Sequence, residues 1–192
     1  MDSTIDIMKK LVICYWSLGI GGIGSRLRGL LTELNKKEEV QVYCLLKRKT
    51  VEKSYMKSFD KINFLYFSDS IYKGHKLSFL WWLFKNIVKI KPTHALGFLN
   101  RFAFVLVISK FWLHFFKRHI LKVTIDQPTS TKKHLYQHEF VPIWFPLSII
   151  IFRLIDQITV PTKANKKELR NSFFVPGEKI DVIYSNVKII DK

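Results

Sequence analysis

The sequence predicts an α/β protein, a Rossmann-like, doubly wound and mostly parallel sheet. Three observations carry the prediction. Apolar runs of strand length alternate with helical stripes along the whole chain. Those runs are nearly continuous in apolar residues, the pattern of parallel strands covered on both faces. The first of them also feeds a glycine-rich loop that opens directly into a helix, the entry of a nucleotide-binding βα unit.

The elements follow in order. Leu11-Val12-Ile13-Cys14-Tyr15-Trp16 is the first strand, ending in the loop Ser17-Leu18-Gly19-Ile20-Gly21-Gly22-Ile23-Gly24-Ser25. Leu27, Leu30, Leu31 and Leu34 then recur at spacings of three and four, one face of a helix. Val40–Leu46 and Ile62–Phe67 read as strands, with the charged, irregular stretch 47–60 as loop between them. Lys76–Lys89 is a helix punctuated by Pro92, Thr93–Leu99 a strand, Arg101–Phe115 a helix and Ile120–Ile125 a strand. The polar stretch Asp126–Glu139 reads as a surface loop, and Phe140–Ile155 as helical or partly so. Gln157–Pro161 is a strand, and Thr162 is the expected N-cap of a helix over Lys163–Phe173. Val175-Pro176-Gly177 turns the chain into a last strand, Ile180–Tyr184. No internal repeat or linker interrupts the series, so one domain over residues 1–192 is expected.

At 48% apolar and 24% charged residues, the composition is that of a globular domain and excludes intrinsic disorder. The charge is unusual: 32 Lys and Arg against 15 Asp and Glu give a formal +17. Such an excess suits an anionic partner, whether nucleic acid, anionic membrane or phosphorylated substrate, or else a generally basic solvated surface. No RRM, KH, zinc-finger or helix-turn-helix signature accompanies it, so no nucleic-acid partner is expected. Cys14 and Cys44 lie inside strand-like apolar runs and are expected to be free and buried, as in a reducing cytoplasm. Met1–Lys10 lacks the apolar core of a secretory signal. No membrane span is expected either. Phe102–Phe116 is broken by Lys110 and His114, and Phe140–Phe152 is short and contains Pro142 and Pro146.

Four features bear on function. Gly19, Gly21, Gly22 and Gly24 lie where backbone amides and a helix N-terminus can meet a phosphate. Their spacing matches neither a P-loop nor a dinucleotide fingerprint, and a tight strand-to-helix turn needs glycine as well. Trp81, Trp82, Phe84 and Lys85 cluster, as do Trp112, Phe115, Phe116, Lys117 and Arg118. Such mixtures suit helices lying on an anionic lipid surface, and equally the core side of helices packed on a sheet. His134 and His138, with Glu139 beside them, share a helical spacing. No HExxH pattern or third ligand accompanies them, so they read as surface histidines and no metal is expected. Asp126, at the end of a strand, can act as a proton acceptor or cap the turn before Pro128.

Several segments together resemble the GT4 family of glycosyltransferases. The Ser17–Ser25 loop and its helix resemble the family's first strand–loop–helix. Lys91-Pro92-Thr93-His94 with Phe98-Leu99-Asn100-Arg101 resembles its "K-P-D-V" strand and following helix. Asp156-Gln157-Ile158-Thr159-Val160-Pro161-Thr162 through Lys166 and Leu169 resembles "D-x-I-x-V-S-x-x-x-K-x-x-L". Pro176-Gly177-Glu178-Lys179-Ile180-Asp181-Val182-Ile183-Tyr184-Ser185-Asn186-Val187 resembles "P-x-x-K-I-x-V-I-Y-N-x-V". The resemblance runs in the correct order over nearly the whole chain.

It implies the N-terminal, acceptor-side half of a two-domain GT-B fold. Lys192 falls where the family's donor-binding domain begins, so this chain is expected to be inactive without a second domain or a separate subunit supplying it. Gly21 and Gly22 are then expected at the donor diphosphate, and Asn100 and Arg101 at the acceptor. The family often carries a histidine after its fifth strand; Asp126 stands near that place here and is the expected catalytic group. The implied reaction moves a sugar, with retention, from a nucleotide-sugar co-substrate to a saccharide or lipid-linked acceptor in cell-surface polysaccharide synthesis, with no further cofactor. The expected location is cytoplasmic, peripheral at the inner face of an anionic membrane. The alternative is a non-catalytic, membrane-associated binding or scaffold subunit.

Overall fold

The computed structural model describes residues 9–16, 22–47, 58–67, 76–127, 130 and 141–184, apart from the side chains of 76, 100, 101 and 141–144. Seven strands form one sheet in the order β3-β2-β1-β4-β5-β6-β7, and every pairing is parallel. The strands are β1 (Lys9–Tyr15), β2 (Val40–Leu46), β3 (Ile62–Tyr66), β4 (His94–Phe98), β5 (Lys122–Asp126), β6 (Gln157–Val160) and β7 (Ile180–Val182). The helices, numbered in chain order, are α1 (Gly22–Leu34), α2 (Lys76–Ile90), α3 (Asn100–Lys117), α4 (Val141–Leu154) and α5 (Lys163–Phe173). The predicted alternation is realised, and β2 and α5 begin and end where the sequence places them.

Two apolar layers hold the sheet. On one face α1 buries Leu27 and Leu31 against Ile13, Val42, Cys44 and Phe98. On the other, α2 presents Phe79, Leu83 and Ile87, spaced by four, and α3 presents Phe102 and Leu106. Each such side chain contributes roughly 1.5–3 kcal/mol by leaving water. Cys14 and Cys44 are free and belong to opposite layers, so no disulfide joins them. Burial pushes both thiols above their ordinary range, which makes them inert packing groups.

β4 and α3 approach closely. A Cβ at Gly97 would lie 2.8 Å from Phe102 Cβ and 2.9 Å from Ile125 Cδ1, so only glycine fits between strand and helix.

Coverage is uneven across the sheet. In β5–β7 the residues Val123, Ile125, Ile158, Val160 and Ile180 pack under the helices. Lys122, Gln157 and Asp181 alternate with them and are exposed. These strands therefore show a period-2 pattern with one covered face among the described residues, where the sequence reading expects helices on both.

Polar side chains tie the elements at this end of the sheet. Asp156 accepts from Lys110 Nζ at 2.6 Å and from the backbone N–H of Val123 at 2.7 Å, fixing α3 and the start of β5. Lys179 Nζ donates to the carbonyls of Arg153 and Ile155 after α4, satisfying groups that a helix end leaves unpaired. Lys166 Nζ does the same for Ile180 at 2.6 Å. Thr162 Oγ1 accepts from Asn165 N at 3.1 Å, the N-cap predicted for α5. Asp156, Thr162, Lys166 and Lys179, all within the resemblance motifs around β6 and β7, thus hold the elements together.

Candidate functional site

The strand order reverses between β1 and β4. In open α/β sheets such a reversal leaves a crevice at the carboxyl ends of the strands, and that is where ligands bind. Here the edge carries the end of β1, the start of α1, the junction of β4 with α3 and the end of β5.

Gly22 opens α1 and is exposed. A Cβ there would meet no heavy atom within 4 Å, so packing does not demand glycine and the position is open to an approaching group. The unpaired amides of a helix start and its positive dipole end favour an anion. Gly21 lies outside the described residues, as do His134 and His138.

Asn100 and Arg101 open α3, and their side chains lie outside the described ones. The residue before them, Leu99, has φ 75° and ψ 154°, a conformation that costs a non-glycine residue about 1–3 kcal/mol. It is held by a hydrogen bond from its N–H to the carbonyl of Asp126 at 2.9 Å. The strained junction thus ties the start of α3 to the end of β5.

Asp126 is the centre of the edge. It is 3% exposed. Its Oδ1 accepts from Thr159 Oγ1 at 2.6 Å and faces Arg26 Nη2 at 3.3 Å. Its Oδ2 has no hydrogen-bond partner among the described residues, and neither does Arg26 Nη1. Buried polar atoms are nearly always paired, so two orphaned atoms on one ion pair single out this edge as the candidate site. Burial pushes the Asp126 carboxyl above its ordinary 3.8; the Thr159 hydrogen bond and the Arg26 charge oppose the shift without cancelling it. A carboxylate so perturbed is a better proton acceptor near neutrality than an exposed one.

The structure therefore brings Gly22, Asn100 and Asp126 to one edge of the sheet. Arg26 and Thr159 join them, and sequence reasoning missed both. Arg26 lies one turn into α1, off the Leu27/Leu31 stripe, and nothing in its local sequence sets it apart from a surface cation. Thr159 is the fourth residue of a quoted motif, and only the β5–β6 pairing shows which side chain it meets.

A cavity of about 310 Å³ lies elsewhere, lined by Lys9, Leu34, Val40, His94, Leu96 and Thr124. It sits by the opposite end of α1 and the strand starts, away from Asp126. Among the described residues no cluster of three or more His, Cys, Asp or Glu could hold a metal ion.

No protein-family model and no curated protein matches the chain. Solved structures do. The apo form of the lipopolysaccharide outer core galactosyltransferase WaaB aligns with TM-score 0.62 and 13% identity, over 93% of this chain and 46% of that one. HepE of Anabaena, in complex with UDP and glucose, gives 0.62 and 12%, over 92% and 44%. The UDP-GlcNAc 2-epimerase of Methanocaldococcus jannaschii gives 0.56 and 14%, over 91% and 45%. The chain spans less than half the length of each. At these identities the likeness concerns the fold: a single Rossmann-like α/β sheet that matches one half of a GT-B architecture.

Proposed function

We propose that this chain is the acceptor-side half of a GT4-like glycosyltransferase, with Asp126 as its proton acceptor. The observation that supports the reading is the buried Asp126 carboxylate, with one oxygen held by Thr159 and Arg26 and the other unpartnered among the described residues, at the crevice edge of a GT-B-like sheet.

Transfer needs three things at this edge. The leaving diphosphate needs positive potential, supplied by the start of α1 at Gly22, with Gly21 preceding it in sequence. The acceptor hydroxyl must lose a proton as its oxygen bonds to the anomeric carbon, and Asp126 Oδ2 is the group placed to take it. The anionic portion of donor or acceptor needs a fixed cation, and Arg26 Nη1, unpartnered among the described residues, can donate while Nη2 stays with Asp126. Asn100 and Arg101, at the start of α3, are assigned to the acceptor. A second domain, in the same polypeptide or on a partner, holds the nucleotide. The acceptor class is a saccharide or lipid-linked saccharide of a cell-surface polymer.

A second reading has support of its own, because the similar structures include UDP-GlcNAc 2-epimerases as well as glycosyltransferases. An epimerase half uses the same fold with no acceptor.

The test is transfer of labelled sugar from a panel of nucleotide sugars into lipid extract, using membranes from host cells with and without the chain. Loss of one transfer reaction on deletion supports the proposal. Loss of nucleotide-sugar epimerisation, with every transfer intact, selects the second reading. Unchanged chemistry of both kinds leaves the binding or scaffold role.

A further inference from the structure

Helix α3 is apolar on two faces, with Lys110 and His114 between them. Its inner stripe, Phe102, Leu106 and Leu113, is buried in the core. A second stripe, Ile108, Phe111, Trp112, Phe115 and Phe116, follows the same three-and-four spacing on the solvent side, with Phe115 and Phe116 70% and 66% exposed. A surface helix ordinarily keeps polar residues on the side away from its core, so a second apolar stripe there calls for a partner. α2 extends the outer stripe with Leu77 and Trp81, the latter 53% exposed.

The exposed rings are contiguous across both helices. Trp81 stacks on Phe84 at 5.3 Å, Phe84 meets Trp112 edge-on at 5.7 Å, and Trp112 packs against Phe116 at 4.3 Å. Phe111 stacks on Phe115 at 6.2 Å. Contiguous exposed apolar surface of this kind marks a place of contact.

The surrounding charge selects the partner. Between Asp69 and Asp126 the chain contains ten Lys and Arg and no Asp or Glu. Lys85, Lys89, Lys117 and Arg118 are exposed around the rings, and Lys85 Nζ lies 5.3 Å from the centre of the Trp81 ring. A second copy docking through this face would set these cations against each other with no acid on α2 or α3 to balance them. An anionic bilayer offers both what the rings need, an apolar layer, and what the cations need, a negative surface. No helix among the described residues is long and apolar enough to cross a membrane, so the contact is one of lying on the surface.

We infer that the outer face of α2 and α3 docks the protein on anionic phospholipid. The rings enter the headgroup–acyl boundary, and Lys85, Lys89, Lys117 and Arg118 meet the headgroups. The inference stands on these two helices alone and does not depend on the sugar-transfer reading.

The experiment is co-sedimentation of the full chain with phosphatidylcholine vesicles, with and without 30% phosphatidylglycerol. At least about tenfold more binding to the anionic vesicles is expected, falling steeply in 1 M salt as surface electrostatics are screened. Two variants locate the face. Phe115→Ser with Phe116→Ser, and separately Lys85→Glu with Lys117→Glu, should each cut binding about tenfold or more. Both pairs are exposed, so far-UV circular dichroism should not change. Equal binding to both vesicle types, or variants that bind like the wild type, would overturn the inference. So would a dimer abolished by the Phe variant without any vesicle binding, or polyglutamate binding as tight as that to the anionic vesicles.

Discussion

The two ends of β5 each depend on an aspartate, and the two carboxylates live differently. Asp156 serves the start of the strand. It is half-exposed, and both its oxygens are engaged, one by Lys110 Nζ and one by the Val123 N–H. Asp126 closes the strand. It is buried, shares one oxygen between Thr159 and Arg26, and leaves the other without a partner among the described residues. The first arrangement is complete in itself and reads as a structural tie. The second is incomplete, and burial raises its carboxyl above the ordinary range, so it is kept at a cost to the fold. That difference separates a carboxylate whose bonds are complete within the fold from the one we propose as the proton acceptor.

Substitutions sharpen or break the comparison. The largest effect should come from Asp126→Asn, which keeps the shape and removes the proposed proton acceptor; sugar transfer in complemented host membranes should fall by about 10²–10⁴-fold. Gly97→Ala forces a methyl to within 3.0 Å of three side-chain atoms. It should cost about 1–3 kcal/mol in a denaturant melt, and through the β4–α3 junction it should also reduce transfer. Asp156→Ala should cost about 1.5 kcal/mol, at the low end for charged hydrogen bonds because the pair is partly solvated. Thr162→Ala, which removes the α5 cap, should cost about 1 kcal/mol and leave transfer unchanged.

The smallest effect is one of pH. A carboxyl whose folded-state pKa lies above its ordinary 3.8 favours the fold below that value. Its contribution is lost as pH rises through the folded-state pKa. Thermal melts should therefore show the wild type losing stability relative to Asp126→Asn across that window, with the Asn variant melting higher at neutral pH. The reverse order would mean that the Arg26 pair outweighs burial.

Much of the fold was legible because it rests on periodicity. The strand runs and the Leu27–Leu34 stripe placed β1 to β3 and α1, and Thr162 placed the start of α5 because one hydroxyl at a helix N-terminus has one local job. Asp126 was legible as a strand-end carboxylate, but its two open readings were separable only by its neighbours. Arg26 comes from α1, 100 residues away in sequence, and Thr159 from β6, and no local pattern joins them. The aromatic clusters were equally ambiguous. The structure divides them, with Phe79 in the core, Trp82 half-buried against it, and Trp81, Phe115 and Phe116 outside, because a helix with aromatic residues on two faces does not reveal which one meets the sheet.

The most direct test sets Asp126→Asn beside Asp156→Ala in the same host membranes, measuring labelled-sugar transfer and melting temperature for each, below both melts. The account predicts that the first loses transfer while melting no lower than the wild type, and that the second melts lower while retaining transfer. Full transfer by Asp126→Asn would contradict it, and would leave this edge of the sheet as a binding surface without chemistry.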